Sequence, residues 1–147
     1  MKVAMVSSHG GHLTELQMIA DAFDGHDQFY ITYESERTNQ LDIEAYTLEN
    51  IGTNPISMTI AFKQILRWFW SHRPDLVVST GSEIAIPAFV AGEIFGATTI
   101  FVESWCRVTS RSTTGRIVYP IVDHFFVQWP ELLEEYGEKA EFRGSIV

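Results

Sequence analysis

A short loop near the start of the chain combines histidine with glycine in a way that suits proton transfer beside an anion. It contains Ser8, His9, Gly10, Gly11 and His12. Adjacent glycines let the backbone approach a ligand closely, and a helix that starts there presents free N–H groups suited to a diphosphate. His12 is the candidate general base, because an imidazole with an unperturbed pKa of about 6.5 accepts a proton from a sugar hydroxyl at neutral pH. His9 is the rival base, and the alternative is helix capping by Ser8 or His9 with a solvated His12.

A second loop repeats this order of an apolar run, a glycine and a predicted helix start. Its central residues are Gly81, Ser82 and Glu83, preceded by Ser79 and Thr80. Hydroxyl groups and exposed N–H groups at such a position are suited to a phosphate or a sugar hydroxyl. The alternative is that Ser82 is an ordinary cap of the helix that follows.

A third loop places a carboxylate and two arginines after another apolar run. Glu103 and Ser104 are followed by Arg107 and Arg111, in a chain that has only ten Lys and Arg residues. Guanidinium groups bind phosphate oxygens through two parallel hydrogen bonds, so both arginines are candidate phosphate ligands. The alternative is an internal ion pair between Glu103 and one of them.

Alternating apolar runs and helical patterns predict the scaffold that positions these loops. Strands are predicted at 2–7, 28–34, 76–79, 98–103, 124–128 and 141–147, with a weaker one at 45–48. Helices are predicted at 12–23, 58–71, 84–95, 112–122 and 131–136. Strands that are apolar on both faces indicate an α/β, Rossmann-like three-layer domain with a mostly parallel sheet. Ligands bind at the carboxyl ends of strands in such sheets, so the loops that follow strands are the informative ones.

The length and composition of the chain limit its domain number and the other functions that it can have. Its 147 residues, 46% of them hydrophobic, are enough for one domain with a core, expected to span 1–147. A formal charge of −9 argues against nucleic-acid binding. The single cysteine, Cys106, excludes an internal disulfide and a multi-cysteine metal site, and we expect no metal or cofactor. We also expect no signal peptide and no membrane-spanning helix, since no apolar run reaches about 18 residues.

The predicted helix at 58–71 is apolar around most of its circumference. A narrow polar stripe interrupts it, and basic residues stand beside aromatic ones, a combination typical of an element lying in the headgroup region of a bilayer. The predicted membrane-contact residues are Phe62, Lys63, Arg67, Trp68, Phe69 and Trp70. The alternative is a crossover helix wedged between the sheet and a neighbouring element.

Three segments together resemble a known family. They are SSHGGHLTEL, RPDLVVSTGSEIAIP and, most specifically, FVESWCRVTSRSTTGRIVYPIVDHFFVQWPELLEEYGEKAEFRGSIV. They are similar to the Alg-fourteen-type oligosaccharide biosynthesis proteins and their bacterial capsular PssD-type relatives. The resemblance covers essentially the whole chain.

The resemblance implies the acceptor-side half of a GT-B glycosyltransferase, held at the cytoplasmic face of a membrane. A separate Alg-thirteen-like or PssE-like subunit binds the UDP-sugar, which is UDP-GlcNAc in the eukaryotic pair. The acceptor is a saccharide on dolichyl or another polyprenyl diphosphate. Eukaryotic members usually begin with a transmembrane helix that this sequence lacks, so a peripheral attachment is expected.

The resemblance also sharpens the expected site. The loop of Gly10, Gly11 and His12 resembles the MurG-type loop that faces the lipid diphosphate and the reacting hydroxyl. The predicted partner interface consists of aromatic and apolar residues near the C-terminus, namely Trp129, Pro130, Phe142, Ile146 and Val147. Core burial of the last three is the alternative. Two other functions stay open, a self-sufficient nucleotide-sugar enzyme such as an epimerase, and a non-catalytic membrane anchor or activator of the transferase.

Overall fold

A computed structural model describes all residues, 1–147, as one α/β domain built on a seven-stranded sheet. The strands are β1 (Lys2–Val6), β2 (Asp27–Tyr33), β3 (Ala45–Leu48), β4 (Leu76–Ser79), β5 (Thr98–Val102), β6 (His124–Val127) and β7 (Ala140–Phe142). The helices are α1 (Gly11–Ala20), α2 (Pro55–His72), α3 (Ala85–Phe95), α4 (Thr113–Val118) and α5 (Leu132–Tyr136). Short 3-10 turns occupy Asp21–Phe23 and Thr38–Gln40. The predicted fold class is confirmed.

The order of the strands creates a crevice beside β1. The sheet runs β3-β2-β1-β4-β5-β6-β7, and every neighbouring pair is parallel. The chain moves from β1 to β2 and β3 on one side and then crosses back to β4 on the other. The loops after β1 and β4 therefore diverge, which opens a ligand-binding crevice at the carboxyl edge of the sheet.

The sheet is covered on both faces, as its apolar strands require. Val3 and Met5 of β1 belong to a small apolar cluster with α1, whereas Ala4 and Val6 belong to a larger cluster with α2, α3, α4 and α5. This alternation is the two-residue period of a strand. The first loop therefore enters α1 on one face of the sheet, while the β4 loop enters α3 on the other.

Helix α2 begins three residues earlier than predicted. The Asn54 side chain accepts a hydrogen bond from the Ile56 N–H at 2.9 Å, and Pro55 occupies the first helical position. Both residue types favour a helix start at these positions. None of the helices has both the length and the apolar character needed to cross a bilayer.

The predicted last strand is wrong beyond Phe142. Strand β7 comprises only Ala140–Phe142, because its neighbour β6 offers only the paired positions Phe125 to Val127. Gly144 then takes a left-handed conformation, with φ of 109°, which an extended strand does not contain. Helix α4 is also shorter than predicted and ends at Val118. The weaker prediction of a strand at 45–48 is confirmed.

Candidate functional site

The first loop turns into α1 through Gly10. Its φ of 86° lies in a region that glycine adopts readily, and it is the N-cap of α1 without a side-chain hydrogen bond. The alternative in which Ser8 or His9 caps the helix is therefore not what the structure shows. The first-turn N–H groups of Gly11, His12 and Leu13 have no partner within the helix and remain able to bind a ligand.

The His12 imidazole is oriented by the second loop. Its Nδ1 lies 2.9 Å from the Thr80 carbonyl oxygen, and the Thr80 hydroxyl donates to the His12 carbonyl oxygen at 2.6 Å. Because a carbonyl oxygen only accepts hydrogen bonds, Nδ1 carries the ring proton in this contact. The neutral ring therefore keeps the lone pair of Nε2 available to accept a proton.

Gly81 has no side chain because the His12 ring occupies that space. A Cβ at Gly81 would lie 2.7 Å from Cε1 of His12, and its φ is 129°. Both the contact and the backbone conformation exclude a larger residue. The glycine of the second loop thus sets the position of the imidazole from the first loop.

Glu83 ties the second loop to β2. Its two carboxylate oxygens accept hydrogen bonds from the Tyr33 hydroxyl at 2.8 Å and the Ser82 hydroxyl at 2.7 Å. Burial alone raises the pKa of Glu83, but the bonds from Ser82, the backbone and Tyr33, together with nearby His12, outweigh burial and lower that pKa. Burial and the bond to Glu83 raise the pKa of Tyr33. Ser82 has φ of 75° and does not cap α3, so the capping alternative is not found here either.

Glu103 is a buried carboxylate that holds the third loop. It accepts hydrogen bonds from the Ser104 N–H at 2.9 Å, from the Ser112 N–H and hydroxyl at 3.2 and 2.8 Å, and from the Tyr136 hydroxyl. The alternative of an ion pair between Glu103 and an arginine is wrong. Burial, followed by the bond to Glu103, raises the pKa of Tyr136. These hydrogen bonds indicate that Glu103 fixes the conformation of the third loop.

Glu15 is a second buried carboxylate, and the sequence analysis missed it. It lies on α1, three residues after His12, and accepts hydrogen bonds from the Ser104 hydroxyl at 2.9 Å and the Trp105 N–H at 3.1 Å. The amide of Gln128 at the end of β6 donates a third, at 2.9 Å. The sequence gives no local signal for it, because an acidic side chain on a short helix is usually solvated. Glu15 joins the helix that carries His12 to the third loop.

The three loops enclose one open pocket of about 410 Å³. Its lining is almost entirely polar and consists of Gly11, His12, Glu15, Gly81, Ser82, Glu103, Ser104, Cys106, Arg107, Ser112, Thr113 and Thr114. Seven of the predicted site residues meet there. Arg107 supplies the only cationic side chain of that lining, and neither ion pair of the chain involves it. Residues from all three loops thus line one pocket.

The other predicted site residues lie outside the pocket lining. Ser8, His9, Gly10 and Glu83 are in the same loops but do not line the pocket. Arg111 is also separate, with its guanidinium 5.9 Å from the centre of the Tyr136 ring. The stacking of Arg111 on an aromatic ring gives it a structural contact that Arg107 lacks.

Arg37 is a cation beside the first loop that the sequence analysis did not select. Its Nη1 donates to the Gly10 carbonyl oxygen at 3.5 Å, and its Nη2 donates to the Gln17 amide oxygen at 3.2 Å. It comes from the segment after β2, next to the short 3-10 turn Thr38–Gln40. The site therefore has two arginines, Arg37 against the first loop and Arg107 in the pocket lining.

The three aromatic residues at the end of α2 lie in different environments. Phe69 is wholly buried in the core, so its prediction as a membrane-contact residue is wrong. Trp68 is half-buried with its ring 5.0 Å from that of Tyr46, and exposed Trp70 stacks under the Arg73 guanidinium at 4.3 Å. Since α2 leads into β4, this end lies at the amino edge of the sheet, away from the pocket.

The first half of α2 lies at the carboxyl edge and exposes apolar side chains there. Ile56 is 72% exposed and Ile60 is 55% exposed, while Lys63 and Arg67 are exposed one and two turns further on. Phe62 is half-buried on the side that faces α3.

The predicted interface residues are only partly exposed. Phe142 and Val147 are exposed, Ile146 and Trp129 are half-buried and Pro130 is exposed. The alternative of core burial is thus wrong for Phe142 and Val147. The Trp129 indole N–H donates to the Trp105 carbonyl oxygen at 2.7 Å, which joins this surface to the third loop.

A family model described as "Oligosaccharide biosynthesis protein Alg14 like" matches residues 47–146. Three relatives are described as UDP-N-acetylglucosamine transferase subunit ALG14. The Yarrowia lipolytica protein is 30% identical over 76% of this chain, the human protein 25% over all of it, and the mouse protein 35% over 68%. These matches span 59%, 83% and 46% of the respective relatives.

Solved structures with the same fold belong to larger proteins. MurG from Acinetobacter baumannii superposes with a TM-score of 0.80 at 15% identity, over 96% of this chain and 45% of that one. UDP-GlcNAc 2-epimerase from Methanocaldococcus jannaschii superposes with a TM-score of 0.77 at 17% identity, over 99% of this chain and 46% of that one. At these identities the likeness concerns the fold alone. The match is to under half of each of these two chains.

Proposed function

The chain belongs to the family of Alg14-like oligosaccharide biosynthesis proteins, and we propose that it is the acceptor-binding subunit of a two-protein glycosyltransferase. The acceptor is a saccharide carried on a polyprenyl or dolichyl diphosphate. The donor is a UDP-sugar held by an Alg-thirteen-like or PssE-like subunit, and this chain is inactive alone. The description of its relatives as UDP-N-acetylglucosamine transferase subunits supports this assignment.

The observation that carries the proposal is the orientation of His12 in the pocket. The Nδ1 contact with the Thr80 carbonyl leaves Nε2 as the basic atom, in the crevice beside the polar lining. Nε2 takes the proton of an acceptor hydroxyl, whose oxygen attacks the anomeric carbon of the donor sugar. The new bond joins that oxygen to the anomeric carbon, and the bond from this carbon to UDP breaks with its electron pair leaving on UDP.

The lipid diphosphate is bound beside the start of α1. Two carboxylates, Glu15 and Glu103, are in the wall of the pocket and repel phosphate from its inner part. The first-turn N–H groups of α1 favour an anion, and Arg37 and Arg107 lie near them. The diphosphate is therefore assigned to this outer part, which leaves Ser104, Thr113 and Thr114 of the pocket lining for sugar hydroxyl groups.

The protein rests peripherally on the cytoplasmic face of a membrane. Ile56 and Ile60 supply apolar contact from the first half of α2, while Lys63 and Arg67 attract anionic headgroups. Because α2 starts at the carboxyl edge, this contact brings the pocket close to the lipid surface. The partner contacts the C-terminal surface of Trp129, Pro130, Phe142, Ile146 and Val147.

The proposal is tested by sugar transfer from radiolabelled UDP-sugars to membrane lipid extracts. This chain, the donor-binding subunit and their mixture are assayed separately. We expect product only in the mixture. Product from this chain alone, or epimerisation of the UDP-sugar by it, supports a self-sufficient enzyme instead. Product from the partner alone at the rate of the mixture reduces this chain to an anchor or activator.

A further inference from the structure

A second concave surface lies between the first halves of α2 and α3. Its volume is about 220 Å³, and it is lined by Met58, Thr59, Phe62, Ile86, Pro87 and Val90. We call these six residues the α2–α3 groove. None of them carries a charge, in contrast to the polar pocket with its histidine, carboxylates and arginine. The groove is therefore suited to an apolar ligand.

The α2–α3 groove begins close to the polar pocket. Ser82 lines the pocket and Ile86 lines the groove. Ile86 is in the first turn of α3, and Ser82 comes three residues before that helix begins. Four residues of chain span at most about 14 Å even when fully extended. Both α2 and α3 start at the carboxyl edge of the sheet, so the groove opens beside the pocket at that edge.

We propose that the α2–α3 groove binds the first isoprene units of the acceptor's lipid chain. This inference rests on the proposed function, in which the diphosphate lies at the polar pocket and its lipid chain must leave from there. An isoprenoid chain has no hydrogen-bonding groups, and burying it between Phe62, Ile86 and Val90 removes apolar surface from water on both sides. The groove thus selects for the lipid part of the acceptor, beside the pocket that binds the polar part.

The shape and size of the groove favour this ligand over two others. A specific protein interface takes about 20 to 30 residues from each side, far more than the six residues of the groove. A bilayer surface contacts protruding side chains such as Ile56 and Ile60, whereas Met58, Phe62, Ile86 and Val90 are half-buried. A single slender chain is the apolar ligand that reaches recessed side chains.

Cys106 offers a direct readout that needs neither the partner nor catalysis. It is the only cysteine, it is exposed and it lines the polar pocket. Its rate of alkylation by a maleimide is measured against increasing inorganic diphosphate and against increasing farnesyl diphosphate. Farnesyl diphosphate is expected to protect Cys106 at a concentration about tenfold lower than inorganic diphosphate does, because it adds apolar burial to the same anionic contacts.

Two variants test whether the groove causes this difference. Phe62→Ser with Val90→Ser removes apolar surface, and Thr59→Trp fills the groove from an exposed position without removing a core contact. In both variants, farnesyl diphosphate is expected to protect Cys106 only at the concentrations at which inorganic diphosphate does. Ile94→Ser, at an exposed residue near the other end of α3, is the matched control and is expected to keep the difference. Protection by inorganic diphosphate shows that each variant retains the pocket.

Each other outcome overturns a defined part of the account. If farnesyl diphosphate protects no better than inorganic diphosphate, or keeps its advantage when Thr59→Trp fills the groove, the groove does not bind the chain. The binding of each variant to liposomes is also measured. If the groove variants bind liposomes less well than the wild type, but farnesyl diphosphate still protects Cys106 better than inorganic diphosphate does, the groove contacts the membrane and not the lipid chain. If neither compound protects Cys106, the pocket does not bind a diphosphate, and the proposed acceptor site fails together with the groove.

Discussion

The two walls of the polar pocket are held in different ways. On one wall, the imidazole of His12 is fixed by a backbone carbonyl and by contact with Gly81, and its Nε2 is left free. On the other wall, the buried carboxylates Glu15 and Glu103 fix the third loop, and each accepts several hydrogen bonds from the protein. The free Nε2 suits the first wall to proton transfer. The carboxylates of the second wall hold the pocket's shape, and Arg107 of the same loop is left free to bind an anion.

On the first wall, substitution of Gly81 is expected to lower activity strongly, because it disturbs His12. A Cβ there would meet the His12 ring at 2.7 Å, so Gly81→Ala displaces the imidazole. We expect kcat/KM of the assembled transferase to fall by about a hundredfold, the usual consequence of moving a reacting group by about 1 Å. Gly96→Ala is the control, because Gly96 also has a positive φ of 72° but no atom within 4 Å of an added Cβ. Equal losses in the two variants would trace the effect to backbone strain alone.

Substitution on the second wall is expected to act on stability. Glu103→Gln places an amide N–H₂ among four hydrogen-bond donors in a buried site, so at least one donor loses its partner. We expect the free energy of unfolding to fall by about 2–3 kcal/mol, measured by urea denaturation. Glu134→Gln, at an exposed residue of α5, should change it by less than about 0.5 kcal/mol. A stable Glu103→Gln protein would show that this wall does not depend on the carboxylate.

The two arginines of the third loop sharpen the comparison further. Arg107 lines the pocket, whereas Arg111 stacks on Tyr136 outside it. Arg107→Ala is expected to raise KM for the lipid-linked acceptor by about tenfold, since a charge-assisted contact to phosphate is lost. Arg111→Ala should leave that KM within about twofold. The opposite result in steady-state assays would move the phosphate site to the Tyr136 side of the loop.

The smallest expected effect concerns the pH dependence of Glu83. Its pKa is lowered in the folded protein from the ordinary value of 4.5, so its bonds to Ser82 and Tyr33 stabilise the fold above that value. The stabilisation is lost as the pH falls through the lowered pKa. Wild-type protein should therefore be more stable than Glu83→Gln at pH 7, and this difference should disappear in strongly acidic solution. A pH-independent difference in urea midpoints would rule out this role for the carboxylate's charge.

Much of the fold and part of the site could be predicted from local patterns. The ends of β1, β4 and β5 could be predicted to within one residue because short apolar runs mark them, and a glycine turn follows the first two. Since parallel strands end at one edge, the meeting of their loops followed. The start of α2 could also have been predicted from Asn54 followed by Pro55, which favour a helix start at these positions.

The rest depended on which neighbours each residue meets in three dimensions. In the sequence, Glu15 resembles a solvated residue. In the structure it is buried, and Ser104 and Gln128, which are distant in the chain, donate hydrogen bonds to its carboxylate. Phe69 could not be separated from its neighbours Trp68 and Trp70, because α2 is apolar around most of its circumference. The sheet, packed against one side of α2, decides that Phe69 is buried and Trp70 is exposed.

The central claim, that His12 of this subunit is the general base, is tested most directly in the reconstituted two-protein transferase. His12→Ala is compared with His9→Ala, the rival histidine, whose ring lies against Tyr33 with centroids 6.1 Å apart. Both variants are first shown to bind the partner as the wild type does. We expect kcat with saturating donor to fall by about a hundredfold or more for His12→Ala, within the usual contribution of a general base, and to change little for His9→Ala. A His12→Ala complex that works at the wild-type rate would contradict the account and leave this chain the role of an anchor or activator.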